Sequence, residues 1–302
     1  MKRLAPFALL AGLLAAACGG RHSENTVTIK GSDTMVILAQ RWAEIYMKEH
    51  PGIVIQVTGG GSGTGIAALI NGGTDICQAS RPMKPEEFES VKAKRQADAK
   101  ETAVALDGIA LYVHETSRVK SLTIDQLKQI YQTKLIDWKS VGGKGGIVAY
   151  GRENSSGTYD YFKEHVLKKE DFSPQVQSLP GTAAVVNAVS KDPQAIGYGG
   201  IAYAKGVRSV RISAGKGKTA VEPTEANVMN GKYPISRRLF FYTAGEPTGH
   251  AAEFITWILS DEGQKICKEV GYFPLPKAKP KAAARKTVRK AAAKKTSTKK
   301  KT

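Results

Sequence analysis

Cysteine is nearly missing from this chain, with three residues in 302, at positions 18, 77 and 267. That scarcity excludes a disulfide-stapled scaffold and a cysteine-rich metal site. Histidine is as sparse: His22, His50, His114, His165 and His250 are scattered without ligand spacing. Neither a metal centre nor a serine–histidine relay can therefore be read from the chain. The apolar stretch from Leu4 to Leu14 is too short to span a bilayer comfortably. Acidic residues are absent from 277–302, where twelve Lys/Arg stand among Ala, Pro and Thr. Removing those twelve, together with Lys2 and Arg3, from the formal charge of +18 leaves about +4 for residues 18–276. The basicity belongs to the tail, and the body is not a nucleic-acid binder by charge.

Lys2 and Arg3 ahead of the Leu4–Leu14 stretch read as an export signal. The segment ends in Leu14-Ala15-Ala16-Ala17-Cys18-Gly19-Gly20, which resembles a bacterial lipoprotein signal and implies a lipid on Cys18. Its leucine stands four residues before the cysteine rather than three, so cleavage at an A-x-A site remains the alternative. Either way the protein is exported. Cys77 and Cys267 read as small buried hydrophobes rather than a disulfide. The Lys/Ala-rich tail 277–302 has no apolar stripe and is expected to be disordered.

What is abundant is glycine, at 31 residues, in turns placed between strands and amphipathic helices. Thr26–Lys30 alternates as a strand and leads through Gly31-Ser32-Asp33-Thr34 into a helix from Met35 to Lys48. Residues 53–57 form a second strand, Gly59–Gly65 a glycine loop, and 66–70 a short helix. Residues 75–79 form a third strand ending at Ser80-Arg81-Pro82, followed by a charged helix over 84–100. A second region starts with the strand 109–113, and includes Ile147–Tyr150 and a helix from Thr158 to Lys168. Residues 238–242 form a late strand, with helices at 249–260 and 262–270. Alternating strands and helices predict an α/β fold with a parallel sheet and ligand loops at its C-terminal edge.

Three of the turns share one composition: Gly31-Ser32-Asp33-Thr34-Met35, Gly59–Gly65, and Arg152-Glu153-Asn154-Ser155-Ser156-Gly157-Thr158. A helix N-terminus carries unpaired N–H groups and the positive end of the helix dipole, which suits an anion. Hydroxyl residues add donors, and glycine lets the backbone come close. Three such starts predict convergence on one oxyanion, phosphate foremost. Arg152 is placed to grip two anion oxygens, and Arg81 lies at a strand end where sites form. The alternative for each is an ordinary surface arginine.

Gly63-Thr64-Gly65-Ile66-Ala67-Ala68 fits a loose dinucleotide pattern, but it lies outside the first strand–helix unit. A P-loop lysine and a nucleophile elbow are also missing. The serines therefore read as hydrogen-bond donors, and no enzyme or cofactor is expected.

These stretches carry a resemblance. With Thr74-Asp75 to Ser80-Arg81-Pro82, Ala195–Tyr198, Ala202–Ala204 and Ser260–Gln264, the chain resembles, over nearly all of 26–276, the periplasmic phosphate-binding component of phosphate ABC transporters. The resemblance implies a two-lobed periplasmic binding protein fold with two hinge strands, near 109–114 and 238–243, closing on phosphate. It implies lobe 1 over 26–110 and 238–276, lobe 2 over 111–237, a linker at 18–25 and delivery to ABC permease subunits. The phosphate contacts it implies are Thr34 and Met35 (through backbone N–H at least), Ser62, Arg152, Ser156, Gly157 and Thr158, with Ser32 and Ser80 as further ligands. Well-known members have an aspartate after the third-strand serine to accept the phosphate proton, where this chain has Arg81. If Arg81 faces the anion, binding favours the more ionised phosphate, and Asp33 is the nearby candidate acceptor. Molybdate or sulfate binding is the alternative within the fold. A polyanion-binding protein working through its tail is the alternative outside it. Anionic lipid, lipopolysaccharide or wall polymer are the tail partners expected of an exported, lipid-anchored monomer.

Overall fold

The computed structural model describes residues 25–277, so the predicted export signal, the predicted lipid site at Cys18 and the tail beyond Lys277 lie outside the described residues. The chain begins with β1 (Thr26–Gly31), α1 (Val36–Glu49), β2 (Val54–Gly60), α2 (Ser62–Ile70), β3 (Ile76–Ala79) and α3 (Pro85–Arg95). A long strand, β4 (Ala99–Val113), precedes β5 (Ser121–Thr123), α4 (Ile124–Tyr131), β6 (Val148–Arg152) and α5 (Gly157–His165). Then come β7 (Gln177–Leu179), α6 (Gly181–Lys191), β8 (Ala195–Gly200), β9 (Arg208–Ser209), β10 (Arg211–Ser213) and α7 (Glu225–Met229). The described chain closes with β11 (Ser236–Ala244), α8 (Gly249–Leu259) and α9 (Asp261–Val270).

One sheet runs β2-β1-β3-β11-β4-β8-β6-β7, with β9 also on β4, and β10 pairs with β5 apart from it. The α/β class holds, but the sheet is mixed rather than parallel. β11 runs antiparallel to β3 and β4, and β4 antiparallel to β8. The physical reason is chain return: β11 comes back from the second half to rejoin the first, and lies between the parallel strands and β4.

β4 changes partner along its length. Residues 99–108 pair with β11, and 109–113 pair with β8. Two packed cores lie on either side of that change. Trp42, Tyr46, Phe241 and Phe254 share one, and Tyr131, Trp138, Phe162 and Tyr198 share the other. This is a two-lobed architecture with the sheet continuous across it.

Two expected elements end differently. The charged helix predicted over 84–100 stops at Arg95, because Gln96 turns left-handed (φ 55°) and the chain enters β4 at Ala99. Helical propensity there yields to ladder bonds with β11. The glycine loop is also shorter than expected, since α2 begins at Ser62 inside it. Position 65 of α2 requires glycine, because a Cβ there would stand 2.5 Å from Gly31 Cα and from the Lys30 carbonyl oxygen. The glycine lets α2 lie directly on β1.

Candidate functional site

The starts of α1, α2 and α5 meet between the two lobes. Thr34, just before α1, hydrogen-bonds through its hydroxyl to the Thr158 hydroxyl in the first turn of α5, at 2.8 Å. The Ser62 hydroxyl, at the first residue of α2, accepts from the Ser80 N–H at 3.0 Å and lies 3.3 Å from Ser80 Oγ. Gly157 sits against both serines: a Cβ there would be 2.8 Å from Ser80 Oγ and 2.9 Å from Ser62 Cβ. The Gly63 N–H donates to the Ser155 carbonyl at 2.9 Å, a second backbone contact between α2 and the α5 start.

Local chemistry explains each start. Ser156 caps α5, its hydroxyl oxygen accepting from the N–H groups of Thr158 and Tyr159 at 3.2 and 3.3 Å. Its own proton stays available to donate. Gly61 precedes α2 at φ 94°, a conformation that favours glycine. Ser32 is buried and held by its backbone, donating to the Gln78 carbonyl at 2.8 Å. The Met35 N–H differs from expectation, because it donates to the Ser32 carbonyl at 3.0 Å to close the turn ahead of α1.

Arg152, expected at the anion, has its guanidinium 1 % exposed beside the α5 start. Nη2 donates to Asp33 Oδ2 and Glu153 Oε1, both at 3.0 Å, and Nη1 to Thr182 Oγ1 at 2.8 Å. Asp33 also accepts from the Gly60 N–H at 2.9 Å through Oδ1. The Asp33–Arg152 pair therefore bridges the α1 turn and the α5 turn.

Arg81 departs from the expectation that it faces the anion. It forks onto Glu87 with two contacts of 2.7 Å, and its Nε lies 2.8 Å from the Asp160 carboxylate. Burial works against its charge, but Glu87 and Asp160 outweigh it and raise its pKa. Lysine or arginine at a strand end is equally suited to an anion or to a nearby acid, and Glu87 in the first turn of α3 is closer in the chain.

Sequence reasoning missed Arg237 and Asp107, the buried ion pair under the threonines. Arg237 Nε and Nη2 reach Asp107 Oδ2 at 3.1 and 2.9 Å. Burial pushes the Asp107 carboxyl up, against the pull of Arg237. The available signal was an aspartate inside the apolar run Ala103–Val113.

The site offers hydroxyls from Thr34, Ser62, Ser80, Ser156 and Thr158, helix-start N–H groups and a buried guanidinium. Such donors suit a tetrahedral oxyanion. Among the described residues, no histidine is hydrogen-bonded to any of these hydroxyls, and no group of three His, Cys, Asp or Glu could hold a metal ion.

A two-lobed α/β protein with donor-rich helix starts meeting between its lobes has the form of a periplasmic binding protein. Comparison with known proteins agrees. A family model described as "PBP superfamily domain" matches residues 17–262. The phosphate-binding protein PstS of Pseudomonas aeruginosa is 36 % identical over 264 residues, covering 82 % of each chain. That of Staphylococcus haemolyticus is 33 % identical over 288 residues, covering 88 % of this chain and 90 % of the relative. Among solved structures, a phosphate ABC transporter substrate-binding protein assignment from Clostridium perfringens, with bound phosphate, has a TM-score of 0.76 at 33 % identity. It covers 83 % of this chain and 100 % of that one. The chain belongs to the PBP superfamily and, within it, to the PstS family of phosphate-binding proteins.

Proposed function

We propose that this protein captures inorganic phosphate between its lobes and delivers it to the permease of a phosphate ABC transporter. The observation that carries the reading is the meeting of three helix starts beside Arg152, with Thr34 and Thr158 in contact across the lobes. The proposed contacts are Ser32, Thr34, Ser62, Ser80, Arg152, Ser156, Gly157 and Thr158, with Arg81, and Met35 whose N–H is spent on the Ser32 carbonyl, outside the set. Closure is driven by ligand contacts made only when the lobes come together, and no bond is broken. Lobe 1 comprises 26–110 and 238–276 and lobe 2 comprises 111–237, a division supported by the change of partner along β4.

Titration calorimetry on protein stripped of phosphate tests the reading, with arsenate, sulfate and molybdate as competitors. Submicromolar to micromolar phosphate binding is expected, about −8 kcal/mol or stronger. Heat with sulfate or molybdate and none with phosphate would overturn it.

The protein works outside the cytoplasm, anchored by a lipid on Cys18. Its tail, with twelve positive charges over 277–302, contacts anionic lipid, lipopolysaccharide or wall polymer. Deleting 277–302 should leave phosphate affinity unchanged and weaken binding to anionic vesicles. Loss of phosphate binding on truncation would place the tail in the site instead.

A further inference from the structure

Arg237 reaches the end of β3, the turn before α1 and the start of α5, three of the parts that meet at the anion site. On β11 it stands directly opposite Asp107 of β4 in the strand register. Its Nη1 donates to the Ser80 carbonyl at the end of β3, at 2.9 Å. Its Nη2 donates to Thr158 Oγ1 at 3.0 Å and lies 3.4 Å from Thr34 Oγ1. The Tyr161 ring packs 5.6 Å from the guanidinium. The arginine is 2 % exposed and Asp107 is fully buried, so neither can swing out to water.

Hydrogen positions follow from these contacts. A guanidinium has donors and no acceptor. A hydroxyl oxygen that accepts from it must aim its own proton elsewhere. Thr34 and Thr158 have oxygens 2.8 Å apart, so one of their two protons lies between them. Neither proton can point at the guanidinium, which only donates, so the second one is directed away from it. The pair then has one proton to offer to whatever binds beside it.

We propose that Arg237 is a positioning residue, which sets the Thr34–Thr158 pair as a hydrogen-bond donor toward the bound anion and ties that orientation to lobe closure. The inference rests on the phosphate-binding reading above. Arg152 supplies charge to the ligand, and Arg237 supplies orientation to the hydroxyls. Thr34 precedes α1 and Thr158 belongs to α5, so Arg237 completes both contacts only when the two are brought together. Asp107 holds the guanidinium in register and balances its charge. An ionised oxygen therefore meets a ready donor at this position.

Stopped-flow phosphate binding, run on the full chain beside wild type, tests the proposal. Removing Arg237 alone would strand a buried carboxylate, so Arg237→Met is combined with Asp107→Asn. The double variant should release phosphate about 10- to 100-fold faster, the range for one lost bond to a charged donor, with association within about twofold of wild type. Arg237→Lys should also release faster, because one ammonium cannot reach Asp107, the Ser80 carbonyl and Thr158 together. A purely structural role would lower the melting temperature and leave the release rate alone. Wild-type release rates in both variants would overturn the proposal. If the double variant fails to fold, the lysine variant decides by the same criterion. Absence of phosphate binding by wild type would instead remove the functional reading itself.

Discussion

Gly157 and Ser62, from the first turns of α5 and α2, are packed so closely that there is no room for a methyl group at 157. A Cβ there would meet Ser62 Cβ at 2.9 Å and Ser80 Oγ at 2.8 Å, besides the Ser62 hydroxyl itself. The backbone at 157 is not left-handed, so alanine would be excluded by space alone. Gly157→Ala should fold with nearly wild-type melting in the absence of ligand. It should bind phosphate more weakly by about 1–3 kcal/mol, the usual penalty of overpacking. Calorimetry and thermal melts separate the two effects, and unchanged affinity would contradict closure at this contact.

Arg152→Ala should cost about 2–5 kcal/mol of phosphate binding, because a buried anion loses its charge partner and Asp33 and Glu153 lose theirs. Arg152→Lys should recover only part, since an ammonium cannot present a planar fork to Asp33, Glu153 and Thr182. Affinity of the alanine variant equal to wild type would remove Arg152 from the site.

Glu87 gives the fold a response to acid. Burial alone would raise its carboxyl, but the Arg81 fork and the Lys84 N–H outweigh burial and hold it below its ordinary 4.5. A carboxylate with a depressed folded pKa stabilises the protein fully above its unfolded pKa. That stabilisation is lost as pH falls through the folded pKa. Glu87→Gln should therefore be less stable than wild type at neutral pH, with the difference shrinking below pH 4.5. Urea unfolding at neutral pH and at acid pH measures it, and a constant difference would contradict the assignment. Phosphate affinity of Arg81→Ala should change little by comparison with Arg152→Ala.

Both described cysteines are buried and unpaired. Burial pushes both thiols up, Cys267 to about 12, so neither is a thiolate at neutral pH. A thiol reagent should leave Cys77 and Cys267 unmodified in the native protein and label both after denaturation. Rapid native labelling would show that one of these cores opens.

The local features of the site were legible in the sequence. Ser156 caps α5 and Gly61 precedes α2 because each choice depends on a few neighbouring residues. Long-range pairing was not legible. Arg237 and Asp107 are 130 residues apart and meet through the β11–β4 register, which no local pattern encodes. Arg81 was misassigned because its strand-end position says nothing about whether its guanidinium turns toward the cleft or toward α3. Ala99–Leu106 was hard to read as strand because its first residues, Ala-Lys-Glu, favour helix, and only β11 alongside makes them extended.

β4 passes from one partner to the other without a break, between Gly108 and Ile109. The lobes are therefore not joined by slack tether at this crossing. Opening must flex a hydrogen-bonded ribbon, as a leaf spring flexes, and the strain is spread over the ladder bonds of several residues rather than a single pivot. A spring of this kind has a resting angle. A crossing of this kind would favour one gape over a continuum of open forms.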